Sequence, residues 1–95
     1  MKTSEAKITF GKMTETDDGG HMLIFVDGVY VGEIQRIERW SRHEVPRMNW
    51  SYNASLCGSV ASRGLQLDIE MTGFGSLGTA CLCTSEAIRQ EIREV

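Results

Sequence analysis

Ile8 and Phe10 alternate with Lys7 and Thr9, which predicts a short half-buried strand by its period of two. Glu15 to Gly20 reads as a turn, because Asp17-Asp18-Gly19-Gly20 combines Asx hydrogen bonding with free φ. His21 to Val26 (HMLIFV) is a continuous apolar run, the pattern of a central strand covered on both faces. Asp27-Gly28 follows at once, and then Val29-Tyr30-Val31. Asp-Gly between two such runs predicts a hairpin with a type I′ turn, which needs positive φ at both turn residues.

A third strand is predicted from Val29 to about Glu38, with Gly32 as a bulge or a close approach. The three-residue spacing of Ile34, Ile37 and Trp40 offers a rival reading, a short helical turn. Trp40 to Met48 holds the only proline, Pro46, beside Arg42, His43 and Glu44, and reads as a mobile loop. Trp50, Tyr52, Ala54 and Leu56 alternate with polar residues, as do Leu65, Leu67, Ile69 and Met71. These are two half-exposed strands joined through Cys57 to Gly64, most simply as an antiparallel pair with one polar face.

Thr84 suits the N-cap of a C-terminal helix, with Glu86 in the first turn and Ile88, Ile92 and Val95 on one face. An earlier start fits too, since Leu77, Cys81, Thr84 and Ile88 share helical spacing. A helix of a dozen residues is too short to stand alone and must pack on the sheet. The predicted fold is therefore α+β: an antiparallel sheet of four or five strands with one C-terminal helix packed on one face.

Composition changes this picture little. Ninety-five residues with 41% hydrophobic and 24% charged content fit one compact domain over 1–95. They exclude disorder, collagen and low-complexity classes. No apolar run approaches the ~18 residues of a membrane span, and residues 1–15 are polar, so the expectation is a cytoplasmic protein with no signal peptide and no membrane partner. The odd cysteine count (Cys57, Cys81, Cys83) fits reduced thiols rather than a disulfide framework.

Charge changes it more. The net charge is −3, but the sign alternates by segment. Glu15, Asp17, Asp18, Asp27 and Glu33 fall within residues 15–33, which contain no Lys or Arg. Residues 34–64 carry Arg36, Arg39, Arg42, Arg47 and Arg63 against Glu38 and Glu44. Such segments predict distinct charged faces on the folded surface.

Motifs for catalysis are weak. Gly73-Phe74-Gly75-Ser76-Leu77-Gly78 matches G-x-G-x-x-G, yet the 17 residues after Gly78 leave no room for a crossover helix, a second parallel strand and a ribose-binding acid. The plain reading is a glycine-rich strand-to-helix turn. Cys81-Leu82-Cys83 lacks the two-residue spacing and the second pair of a structural zinc site. There is no nucleophile elbow, and neither His21 nor His43 has a spaced acid partner. No catalytic residue, metal ligand or cofactor is assigned, and the chain is not read as an enzyme.

Arg36, Arg39, Trp40, Arg42, Arg47, Trp50 and Tyr52 form the one suggestive constellation. Arginine and aromatic side chains together serve base stacking and phosphate contact, and they also anchor protein interfaces. The plainer alternative turns Trp50 and Tyr52 into the core and pairs the arginines with the acids of residues 15–33.

Leu23-Ile24-Phe25-Val26-Asp27-Gly28-Val29-Tyr30-Val31-Gly32-Glu33-Ile34, with Thr84-Ser85-Glu86-Ala87 opening a helix downstream, resembles small phage and prophage accessory proteins built from a β-meander and one C-terminal helix. Some proteins of that kind are anti-CRISPR or other anti-defence inhibitors. The resemblance implies a non-catalytic protein-binding module, an inhibitor that occupies a host nucleoprotein complex. The resemblance carries over no functional residue; the charge segments and the Arg/aromatic constellation themselves give the partner-binding set, Glu15, Asp17, Asp18, Asp27 and Glu33, with Arg36, Arg39, Trp40 and Arg42 as anchors. The alternative is a small single-stranded nucleic-acid binder using segment 36–52. An edge strand at Ile8–Phe10 offers a route to a homodimer.

Overall fold

The computed structural model of the chain describes residues 6–17, 19–41 and 47–94. Six strands precede one helix: β1 (Ile8–Phe10), β2 (Thr14–Thr16), β3 (Gly19–Val26), β4 (Val29–Ser41), β5 (Arg47–Val60), β6 (Leu65–Phe74) and α1 (Leu77–Glu94). They form one antiparallel sheet in the order β1-β3-β4-β5-β6, with β2 also on β3. The α+β class and the single packed helix agree with the sequence reading.

The Asp27-Gly28 turn forms as its residues demand. Val26 faces Val29 across a two-residue loop, and φ is +51° at Asp27 and +82° at Gly28. Gly32 marks a close approach: a Cβ there would lie 2.1 Å from the Ser55 carbonyl oxygen. The β3–β4 register also shifts beside it, where Phe25 faces Tyr30 but Ile24 faces Gly32.

One face of the sheet is core. Met22, Ile24, Val26, Ile34, Ala54, Leu56, Leu65 and Leu67 are buried with Ala80 and Ile88 of α1, which lies over β5 and β6. The other face is solvated, and this corrects the reading of residues 21–26 as covered on both sides. Leu23 is exposed and Phe25 half-buried, because α1 is the only α-helix among the described residues and covers one face.

Other boundaries move as well. Thr14–Thr16 pairs with Gly19–His21 as β2, inside the segment read as a turn. β5 continues from Leu56 to Val60, and only a 3₁₀ turn at Ala61–Arg63 and Gly64 separates it from β6. The helical turn over Ile34, Ile37 and Trp40 does not form, since these residues pair with Ala54, Ser51 and Met48. Trp40, Ser41, Arg47 and Met48 are strand rather than loop, while residues 42–46 of that expected loop lie outside the described residues.

The helix starts at Leu77, so Thr84 is not its N-cap. Ser76 is: its Oγ accepts from the Thr79 backbone N–H at 3.2 Å, and Ala80 N–H donates to the Ser76 carbonyl at 3.1 Å. Thr84 sits fully buried in mid-helix, and Thr84-Ser85-Glu86-Ala87 continues a helix rather than opening one.

Candidate partner-binding surface

β4 and β5 are 13 and 14 residues long and outrun their neighbours. β3 begins at Gly19, opposite Ile37, and β6 ends at Phe74, opposite Tyr52. Beyond those rungs Glu38 faces Trp50, Arg39 faces Asn49, Trp40 faces Met48 and Ser41 faces Arg47. Among the described residues these eight pair only with each other, so the sheet narrows to a two-stranded arm. The molecule is accordingly 60 Å long and 22 Å across, with a radius of gyration of 15.2 Å. A compact chain of this length would have roughly 12 Å.

Two-stranded ribbons are marginal in water by themselves, so the root of the arm matters. There the Arg36 guanidinium stacks 4.4 Å from the centroid of the Trp50 ring. Its Nη2 donates to the Gly19 carbonyl at 3.1 Å and lies 3.8 Å from Glu15 Oε1. Gly20 lets the guanidinium in, since a Cβ at Gly20 would stand 3.3 Å from Arg36 Nη2. The Arg36 side chain is only 18% exposed, whereas Glu15 is 89% exposed and contributes little to the pair. Tyr52 packs half-buried against the core. Tyr52 and the Arg36–Glu15 contact follow the plainer alternative, whereas Trp50 is half-buried under the Arg36 guanidinium and is not part of the core cluster.

The predicted partner-binding residues divide by position. Glu15 on β2, Asp17 in the β2–β3 turn, Arg36 at the arm's root, and Arg39 and Trp40 in the arm gather at one end of the sheet. Asp18 and Arg42 lie outside the described residues. Asp27 stands at the far end of β3, about 25 Å away at the usual rise per strand residue. It is engaged there: Arg63 Nε donates to Asp27 Oδ2, and the Lys7 backbone N–H donates to Oδ1 at 2.9 Å. The Arg63 hydrogen bond, then the Lys7 amide, hold the Asp27 carboxyl below the ordinary carboxylate range. Glu33 is half-buried at mid-sheet on the solvated face, between Leu23 and Ser55. Residues 15–33 are therefore one acidic segment in sequence but not one patch in space.

Two open clefts flank the exposed Ile37 on the solvated side of the arm's root. One of ≈ 440 Å³ is lined by Thr16, Gly20, His21, Gln35 and Arg36, and one of ≈ 380 Å³ by Ser51, Asn53, Thr72 and Gly73. Among the described residues no group of three or more His, Cys, Asp or Glu is placed to hold a metal ion, and no helix is long and apolar enough to cross a membrane. Cys57, Cys81 and Cys83 are free thiols, with burial pushing Cys81 up.

Sequence reasoning missed the arm. Its signal was available only in the register, since Pro46 and the mixed charges of residues 42–47 look like a loop. No protein-family model, curated protein or solved structure matches the chain.

Proposed function

We propose that the protein is a non-catalytic binding module that engages another protein through the β4–β5 arm and the acids beside its root. One observation carries this: eight residues extend β4 and β5 as a paired ribbon beyond the last rungs they share with β3 and β6. Among the described residues its two backbone edges pair with no further strand, and an unpaired edge is a template for a partner. Arg39, Trp40, Arg47 and Met48 supply residue types enriched at interface cores. Glu15 and Asp17 place negative charge next to them, suited to a basic surface.

The finer reading, an inhibitor that occupies a host nucleoprotein complex, rests on the resemblance of residues 23–34 and on that acidic flank. A second reading is direct nucleic-acid binding, favoured by the ribbon itself, which has the dimensions of a major-groove reader. It is the weaker one, because the Trp50 face is filled by Arg36 and the arm's arginines are offset by Glu38.

Capture of partners by the tagged full chain, with and without nuclease, tests the proposal. A stoichiometric protein that survives nuclease and is lost with Asp17→Lys or Trp40→Ala supports it. Partners that vanish with nuclease, together with single-strand affinity that falls steeply with salt, contradict it in favour of the second reading.

A further inference from the structure

The sheet has two edges of unequal kind. On one side β3 is covered by β1 and β2, three residues each, with Gly11 N–H donating to the Leu23 carbonyl at 2.8 Å between them. Such short, interrupted strands make a blunted edge. On the other side β6 runs ten residues, and among the described residues no strand pairs with its outer edge. The N–H and C=O groups turned away from β5 form a row without ladder partners. Leu65–Phe74 contains no Pro, Lys or Arg; its only charges are Asp68 and Glu70, and its irregularity, beside Gly73 at φ +84°, lies near the end.

What β6 does carry selects a partner. On the solvated face Gln66, Asp68, Glu70 and Thr72 are exposed, and Glu33 joins Glu70 through the cross-strand row Glu33–Ser55–Glu70. On the core face Leu65 and Leu67 are buried and Ile69 and Met71 half-buried beside α1. A second copy is a poor fit. Antiparallel pairing of β6 with itself about residue 68, 69 or 70 sets Asp68 or Glu70 directly against another carboxylate, and directly opposed like charges destabilise a pair. An extended segment with Lys or Arg at every second residue meets both carboxylates, while its intervening apolar residues continue the Ile69–Met71 side.

We propose that the β6 edge accepts an extended basic segment of a partner protein as an added strand. The site is separate from the arm, so its failure leaves the arm reading standing. The test titrates the full chain with a capped octapeptide of alternating valine and lysine, its valine–glutamate counterpart, and the lysine peptide N-methylated at alternate amides. Hydrogen exchange of residues 65–74 is followed in parallel. The lysine peptide is expected to bind about tenfold more tightly than the glutamate peptide, the sum of two cross-strand ion pairs. It should also slow exchange along β6. Asp68→Lys with Glu70→Lys should reverse that preference, and Asp68→Asn with Glu70→Gln should remove it without adding charge. Equal affinity for the two peptides, undiminished binding of the N-methylated peptide or unchanged exchange in β6 would each overturn the proposal.

Discussion

Arg36 and Trp50 close the sheet where it narrows to a ribbon: the guanidinium of Arg36, two rungs before the Glu38–Trp50 pair that begins the arm, lies 4.4 Å from the indole centroid. The same side chain holds the Gly19 carbonyl at the start of β3. It therefore ties the last three-stranded rung of the sheet to the first rung that has two strands. Replacing Arg36 by Ala should cost about 1–3 kcal/mol, the sum of a partly desolvated cation–π contact and a charged hydrogen bond. It should also speed amide exchange in residues 38–41 and 47–50. Arg36→Lys should fall between, because an ammonium keeps the charge but loses the planar stack. Unchanged stability and exchange in Arg36→Ala would show that the arm is held by something else.

Asp27 gives acid sensitivity a defined source. Its carboxyl is held below the ordinary range by Arg63 and the Lys7 amide, so the unfolded chain binds this proton more readily than the folded one. The resulting stability is present above the ordinary carboxylate value of about 3.9 and is lost as pH falls through the lower folded value. Asp27→Asn retains a residue that tolerates φ +51° and keeps an acceptor for Lys7, but it cannot titrate. Thermal melts between pH 2 and 6 should show a smaller drop in Tm for Asp27→Asn than for the parent. An identical drop would place the acid sensitivity on other carboxylates.

Thr84 is fully buried, and its hydroxyl oxygen has no hydrogen-bond partner. Ala80, Thr84 and Ile88 form one helical stripe against the sheet, so valine fits the same volume without the unsatisfied group. Thr84→Val should stabilise by about 1 kcal/mol, which corresponds to roughly 4–8 °C in Tm for a domain of this size. A fall in Tm would mean that the hydroxyl has a partner in solution.

How far these features were legible varies with the kind of signal each leaves. Asp27-Gly28 was readable because two adjacent positive φ values leave few other residue choices, and the alternation of Leu65 to Met71 was readable because one buried face imposes a period of two. The helix start stayed open between Leu77 and Thr84 in the sequence, because Ser76 and Thr84 are equally good caps in isolation; the earlier start is the one that forms. What decides between them is that Ala80 and Thr84 both face the core, which is tertiary information. The arm was not legible as strand: Pro46 and the mixed charges around it read as a loop, and its register follows from pairing that runs outward from Ile34–Ala54. Glu15 and Asp27 belong to one acidic run in the sequence, but an eight-residue strand carries them to opposite ends of the sheet.

The most direct test of the arm as the binding element is to replace residues 39–49 by an Asn-Gly turn, confirm by circular dichroism and melting that the sheet and helix persist, and measure affinity for the protein captured by the full chain. The account predicts a folded variant whose melting differs little from the parent and whose affinity falls at least about a hundredfold, the loss of an interface's few dominant anchors. A folded variant that binds its partner as tightly as the full chain would contradict it.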